Sequence, residues 1–284
     1  MNRIKNLAIM GVVLIGCVCA QTGPQTPKTS TPSGKEVSLP QADNTIPITG
    51  SGQRPLEQAL AALRLKFGWT INYEDPQYRS VKDTMDDPRS RGTLILAGTQ
   101  FSTEIPAPQP PAEAPPKEKS LQLVVDSYNR SANPGRFEVL KGETEVSIVG
   151  IAARDDKDDV SLQKPFLDSP VTLPIKERTI VDTVELVCKQ LSDDTHTPVA
   201  LGVTPRALVD HTNAKIGGDK VPARQILAQA LAASGHPLYW QLLFDPNSKS
   251  YLLNIHSVHT PKPPAHETPG KPPATEAHPS VPKQ

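Results

Sequence analysis

The chain has 284 residues, and its 30 Lys and Arg side chains balance its 30 Asp and Glu side chains. Binding to nucleic acid or to an anionic lipid surface usually needs a basic excess, so this balance argues against both. The 31 prolines stand against five Phe, five Tyr and two Trp. That composition indicates modest cores and long stretches of chain without packed structure.

The N-terminus has the pattern of a signal peptide over residues 1–20. Two basic side chains precede the apolar run at residues 7–16, which is too short to span a membrane. Its end can be interpreted in two ways, and the sequence leaves both open. Val18-Cys19-Ala20 suits a leader peptidase, whereas Leu14-Ile15-Gly16-Cys17 resembles the lipobox of bacterial lipoproteins. We therefore predict an exported protein, either soluble in the periplasm or anchored in the cell envelope by a lipid on Cys17.

Proline-rich and charged segments divide the rest of the chain. An N-terminal linker at 21–43 and a C-terminal tail at 259–284 are proline-rich and predicted to be disordered. A third proline-rich segment, residues 106–116, is predicted as an exposed insertion of extended polyproline character. Two regions of ordinary size for one small domain remain, residues 44–153 and 168–258. A charged connector, residues 154–167, lies between them.

The two regions repeat one order of predicted elements. Each begins with a strand, at residues 45–48 and 171–175, followed by an amphipathic helix and a second strand. Short segments at 93–97 and 214–216 are predicted as third strands before second helices, and each region closes with a hairpin. The shared order is β-α-β, β-α-β-β. We predict an α+β fold made of two separate small modules.

This order resembles the short N-terminal (STN) domain of secretins and TonB-dependent receptors, and the related N-domains of secretins. The resemblance covers most of region 168–258. It is carried by Leu173-Pro-Ile175, the helices at 179–191 and 223–234, and the hairpin that contains Tyr239 and Trp240. Region 44–153 matches less well, because residues 106–116 interrupt it and residues 78–91 exceed what such a module needs. The resemblance implies modules that bind protein partners in the cell envelope.

Catalytic motifs fail on their placement. Ser161-Leu-Gln-Lys164 fits the Ser-x-x-Lys pattern of penicillin-recognising enzymes, but Ser127-Tyr128-Asn129, the candidate second motif, comes before it instead of after it. Ser161 also falls in the predicted connector. We predict no catalytic residue, and the sequence calls for no cofactor.

Metal sites are not predicted either. His256 and His259 offer two imidazoles where a stable site needs three or four fixed ligands. The carboxylates of residues 155–159 lack the Gly and the distal Glu of an EF-hand loop.

One thiol and two aromatic side chains remain as candidates. Cys188 lies on the apolar stripe of its helix, so we predict a buried, unreactive thiol, and no other cysteine lies in the two regions to form a disulfide with it. Tyr239 and Trp240 are neighbours on one strand and must point to opposite faces, so one of them is less buried. We predict that this pair marks a surface for a protein partner.

Two functions from different classes follow. The first is a non-enzymatic adaptor or scaffold of the cell envelope that binds another envelope protein, with self-association left open. The alternative is a hydrolase-type enzyme whose site lies between the two regions.

Overall fold

The computed structural model describes residues 44–109, 112, 114–142 and 145–258. The predicted signal peptide, linker and tail lie outside the described residues, as do Cys17, His259 and three positions of the proline-rich insertion. All described residues belong to one compact unit. Helices and strands both contribute to it, so the predicted α+β class is confirmed.

We call residues 44–153 the first repeat and residues 168–258 the second repeat. The elements from the first repeat and the connector are β1 (Thr45–Gly50), α1 (Pro55–Phe67), β2 (Ile71–Glu74), β3 (Thr84–Asp86), β4 (Leu94–Leu96), β5 (Phe101–Pro106), α2 (Lys117–Arg130), β6 (Arg136–Lys141), β7 (Val146–Arg154) and β8 (Val160–Leu162). Those of the second repeat are β9 (Pro170–Thr179), α3 (Ile180–Thr195), β10 (Val199–Leu201), α4 (Arg206–Val209), β11 (Asn213–Pro222), α5 (Ala223–Ala233), β12 (Leu238–Asp245) and β13 (Ser250–Ser257).

The two repeats also pair their strands in the same way. β1 and β5 form an antiparallel pair, and so do β9 and β11. β7 runs parallel to β2 and antiparallel to β6, while β13 runs parallel to β10 and antiparallel to β12. The two repeats therefore have the same pattern of strand pairing.

One strand of the first repeat was predicted in the wrong place. Residues 93–97 do not form the third strand of the repeat, because β4 pairs with β3 in a separate hairpin. β5 takes the place beside β1 instead. The two strands enter different cores, since Phe101 and Ile105 pack with α1 and α2, whereas Leu96 packs into the core of the second repeat and Leu94 is exposed.

Matching helix ends reveal the same repeat. α1 has Pro55 in its first turn and ends at Gly68, which is left-handed with φ 64°. α3 begins at Thr179, whose hydroxyl accepts a bond from the Asp182 amide, and ends at His196, also left-handed with φ 55°. Gly68 and His196 thus occupy the same position in the two repeats.

The prediction of two separate folds is wrong. β12 of the second repeat pairs in parallel with β2 of the first, which gives one sheet in the order β10-β13-β12-β2-β7-β6. The predicted connector is not a free linker either, since β8 lies in it and pairs with β7. In isolation β2 and β12 would each be edge strands, and joining them satisfies edge groups of both.

The two repeats cover opposite faces of this shared sheet. On β2, Ile71 and Tyr73 belong to the core formed with α1 and α2. Asn72 and Glu74 point to the other face, where the Arg224 guanidinium of α5 bonds Glu74. A second core, built from α3, α5, β12 and β13, lies on that face. The sheet therefore separates two hydrophobic cores.

Candidate partner-binding surfaces

A buried ion pair joins the repeats at the centre of the sheet. Arg224 Nη2 lies 2.8 Å from Glu74 Oε2, and Arg224 Nε lies 3.0 Å from Asp168 Oδ1. The Leu167 amide also donates to Glu74 Oε1. Burial raises the pKa of Glu74, while Arg224 acts in the opposite direction. The carboxylate is thus held by a cation and a backbone amide, which suits a structural role.

A second buried carboxylate ties the same junction. Asp75 follows β2 and accepts bonds from Arg54 Nε at 2.7 Å, the Tyr73 hydroxyl at 2.7 Å and the Phe244 amide at 3.0 Å. Arg54 Nη2 also donates to the Phe244 carbonyl at 2.6 Å. Both oxygens of Asp75 are engaged within the protein, so this group holds β2 and β12 together.

A groove of about 610 Å³ opens on the face beside α5. One wall is α5 and the other is the β6–β7 hairpin; the lining includes Leu140, Glu145, Ser147, Gln225, Ala228 and Gln229. A smaller cavity of about 190 Å³ shares Glu145, Ala228 and Ala232 with it. The groove exists because α5 covers β12 and β2 but stops short of β6.

The outer edge of β6 carries unpaired peptide groups. Phe137 donates its amide to Asn129 Oδ1 and accepts from Asn129 Nδ2 at its carbonyl, so its peptide groups point away from β7. Backbone alternation places those of Val139 and Lys141 on the same edge. β6 is the last strand of the sheet, and no described residue bonds these two. Asn129 therefore closes one end of an edge that is otherwise open.

The opposite end of the sheet, at β10, is open only at Leu201. The Ser192 hydroxyl bonds both peptide groups of Val199, and Val203 bonds Asn254 Oδ1 through its amide and the Ile255 amide through its carbonyl. Tyr251 donates its amide to the Pro198 carbonyl, and the Gly202 amide donates to Leu253, which turns the peptide groups of Leu201 outward. Val203 is 60 % exposed and Leu252 is 41 % exposed beside this edge. The two ends of the sheet, β6 with the groove and β10 with these side chains, are the candidate partner-binding surfaces.

The aromatic pair predicted as a partner surface lies elsewhere. Trp240 is fully buried in the core of the second repeat, so the prediction that it anchors a partner is wrong. Tyr239 is half-buried, stacks on His256 with 5.3 Å between ring centroids, and lies under the Arg64 guanidinium. Its ring packs against the first repeat, because α1 covers this face of β12. The pair points to opposite faces as expected, and both faces are covered.

Ser161 and Lys164 do not meet as a catalytic pair. Ser161 lies on β8, where its hydroxyl donates only a long bond of 3.5 Å to the Ala153 carbonyl. Both residues line a cavity of about 320 Å³ beside Asp75, whose oxygens are occupied by the junction. Asn129, part of the other candidate motif, closes the β6 edge.

The remaining candidates have structural surroundings. Cys188 is buried, and burial raises the pKa of its thiol to about 12. Burial and the nearby Arg64 lower the pKa of His256, whose Nε2 lies 3.0 Å from Gln241 Oε1. Asp155 caps the turn that follows β7. Within the described ranges, no cluster of three His, Cys, Asp or Glu side chains could hold a metal ion.

Sequence reasoning missed the residues that build the junction and the edges. Asn72 and Glu74 alternate with apolar residues along β2, a pattern typical of a face exposed to water, and the charged Asp75 follows the strand. No local signal distinguishes burial by another repeat from exposure. The bonds between Asn129 and the β6 edge could have been predicted only if β6 had been recognised as an edge strand.

Comparison with known proteins gives no relative from which to infer a function. No protein-family model, no curated protein and no solved structure matches this chain. In the part of the chain that the structure describes, no helix is long and apolar enough to cross a membrane.

Proposed function

We propose that this protein is an exported, non-enzymatic adaptor or scaffold of the cell envelope, which binds another envelope protein through the two ends of its shared sheet. The observation that carries the proposal is the β10 end, where Val203 and Leu252 are exposed beside the unpaired peptide groups of Leu201. Sheet edges of this kind accept a strand from a partner, and neighbouring apolar side chains add affinity.

The surroundings of the candidate nucleophiles support a non-enzymatic role. A thiol with a pKa of about 12 stays protonated at neutral pH and is a poor nucleophile. Ser161 contacts a backbone carbonyl rather than a general base. The charged groups between the repeats are engaged with one another, which favours the adaptor over a hydrolase with a site at that junction.

Kinship with STN domains and secretin N-domains is part of the proposal. It is supported by the βαβ-βαββ order and by the same strand pairing in both repeats. Export is proposed from residues 1–20, with either cleavage after Ala20 or lipidation of Cys17. Replacing Cys17 with Ala separates these routes, because only the lipoprotein route would lose its acyl mass and its membrane attachment.

Photo-crosslinking in intact cells tests the function. A photoreactive amino acid at Leu252 or Leu140 should give discrete protein adducts. The matched control is Glu177, an exposed residue of the separate β9–β11 pair, where no adduct is expected. Equal labelling at all three positions, or none at Leu252 and Leu140, would contradict a partner-binding role for the two ends.

A further inference from the structure

The junction between the repeats is a contact between two unlike edges. β12, the second-last strand of its repeat, pairs with β2, the second strand of the other repeat. β6 holds the position of β12 in the first repeat, and β10 holds the position of β2 in the second repeat. Each of these two strands has a neighbour on one side only. The chain therefore presents, at its two ends, the same two kinds of edge that join at its centre.

Strand register identifies the equivalent residues. In the two parallel pairs, Ile71 lies opposite Val146 and Val199 lies opposite Tyr251, so Val199 is equivalent to Ile71. Two residues further along the strands, Leu201 is equivalent to Tyr73. In the two antiparallel pairs, Lys141 lies opposite Val146 and Phe244 lies opposite Tyr251, so Lys141 is equivalent to Phe244. Counting back along the strands, Glu138 is equivalent to Gln241 and Val139 to Leu242. At the junction, Gln241 faces Tyr73. The equivalent pair at the free edges is Glu138 and Leu201.

We propose that copies of this chain associate head to tail, with β6 of one copy pairing in parallel with β10 of the next in the register of the internal junction. This proposal rests on the proposed function, because it uses the same two surfaces and names a second copy as the protein that fits them. Contacts between unlike surfaces build open chains or closed rings.

Exposed side chains at the β10 end support this occupant. At the junction, α5 buries Asn72 and Ser147 on its face of the sheet. The equivalent positions in the second repeat are Ala200 and Leu252, which are exposed and apolar. In the proposed contact, α2 of the neighbouring copy takes the place of α5 and covers them. Burying an apolar side chain stabilises such a contact more than burying a polar one.

One position opposes the contact and supplies a variant that should strengthen it. Gln241 bonds Glu57 at the junction. The equivalent residues are Glu138 and Glu185, so two carboxylates would meet between copies. Glu138→Gln restores the amide–carboxylate pair of the junction. We expect it to lower the dissociation constant of the assembly by up to about fivefold, the effect of one exposed charge pair.

Disulfide trapping tests the register in the full chain with Cys17 and Cys19 replaced by Ser. Glu138→Cys and Leu201→Cys single variants, mixed and oxidised, should form a crosslinked dimer that neither forms alone, because facing strand residues lie within disulfide reach. A Glu177→Cys variant replaces Leu201→Cys as the control. Sedimentation velocity of wild type and Glu138→Gln over a concentration series should show growth beyond the dimer.

Two results would overturn the proposal. One is the absence of the mixed disulfide together with a monomer that Glu138→Gln leaves unchanged. The other is photo-crosslinking at Leu252 that yields only adducts of a different protein while the chain stays monomeric. The second result would leave the proposed adaptor function standing, whereas a mixed disulfide with no foreign adduct supports assembly from copies alone.

Discussion

Arg224 of α5 bonds Glu74 at the end of β2 with 2.8 Å between nitrogen and oxygen, and this buried pair joins the two repeats through residues that lie 150 positions apart in the chain. Glu74 is fully buried and the Arg224 side chain is only 14 % exposed. A buried pair contributes little compared with apolar residues of the same shape, but breaking it leaves a charge without compensation.

Removing only the cation should therefore be costly. We expect Arg224→Met to lower the free energy of unfolding by about 3 kcal/mol, and Glu74→Gln in the same chain to recover part of the loss. Urea unfolding followed by circular dichroism measures both. A double variant no more stable than Arg224→Met would contradict this account of the pair.

The pH dependence of Arg224→Met follows from the same burial. Without Arg224, burial and the nearby Asp168 carboxylate still raise the pKa of Glu74. The hydrogen bond from the Leu167 amide is then the one remaining influence that lowers it. A folded carboxyl whose pKa exceeds its unfolded value contributes stability below the unfolded pKa, and that contribution is lost as pH rises toward the folded pKa. Relative to Glu74→Gln/Arg224→Met, the single variant should lose stability as pH rises from about 4.5. A difference that does not change with pH would exclude Glu74 as the cause.

The shared sheet predicts one cooperative unfolding transition. The two Trp residues report on different repeats, Trp69 on the first and Trp240 on the second. The single-Trp variants Trp69→Phe and Trp240→Phe should each give coincident fluorescence and circular dichroism transitions in urea. Two separated midpoints within one variant, or two stable fragments after cleavage at residues 155–159, would instead support separate folds.

The elements were predictable because each repeat carries its own periodic signals. Leu56, Leu60 and Leu63 define α1, and Val184, Val187 and Leu191 define α3 without reference to the rest of the chain. The junction was not predictable, since the polar face of β2 looks the same whether water or α5 covers it. The Trp240 prediction failed for a related reason: adjacent strand residues point to opposite faces, but alternation does not reveal that both faces are covered.

Cys188 should be unreactive until the protein unfolds. Burial raises its thiol pKa from the ordinary value of 9.0 to about 12, so the thiolate needed for reaction is scarce at pH 8. We expect a thiol reagent to label Cys188 at least tenfold faster in urea than in buffer. Because the folded pKa is the higher one, this group contributes stability that is lost as pH rises from about 9 towards 12. Cys188→Ala provides the control, and fast labelling of the folded protein would show that the thiol is accessible.

The equivalent helix ends at Gly68 and His196 give a matched pair of stability changes. Both residues adopt left-handed backbone angles, with φ 64° and 55°. Only Gly adopts this conformation without steric cost from a Cβ atom, which amounts to about 1 kcal/mol for other residues. His196 is exposed, so its side chain contributes little packing.

We therefore expect His196→Gly to raise the free energy of unfolding by about 0.5 to 1 kcal/mol and Gly68→Ala to lower it by about 1 kcal/mol. Urea unfolding of both variants measures the changes, and Gly235→Ala, a third left-handed position with open space around its Cβ, separates backbone strain from packing. A destabilised His196→Gly would mean that the His196 side chain holds the end of α3 by a contact stronger than the strain it carries.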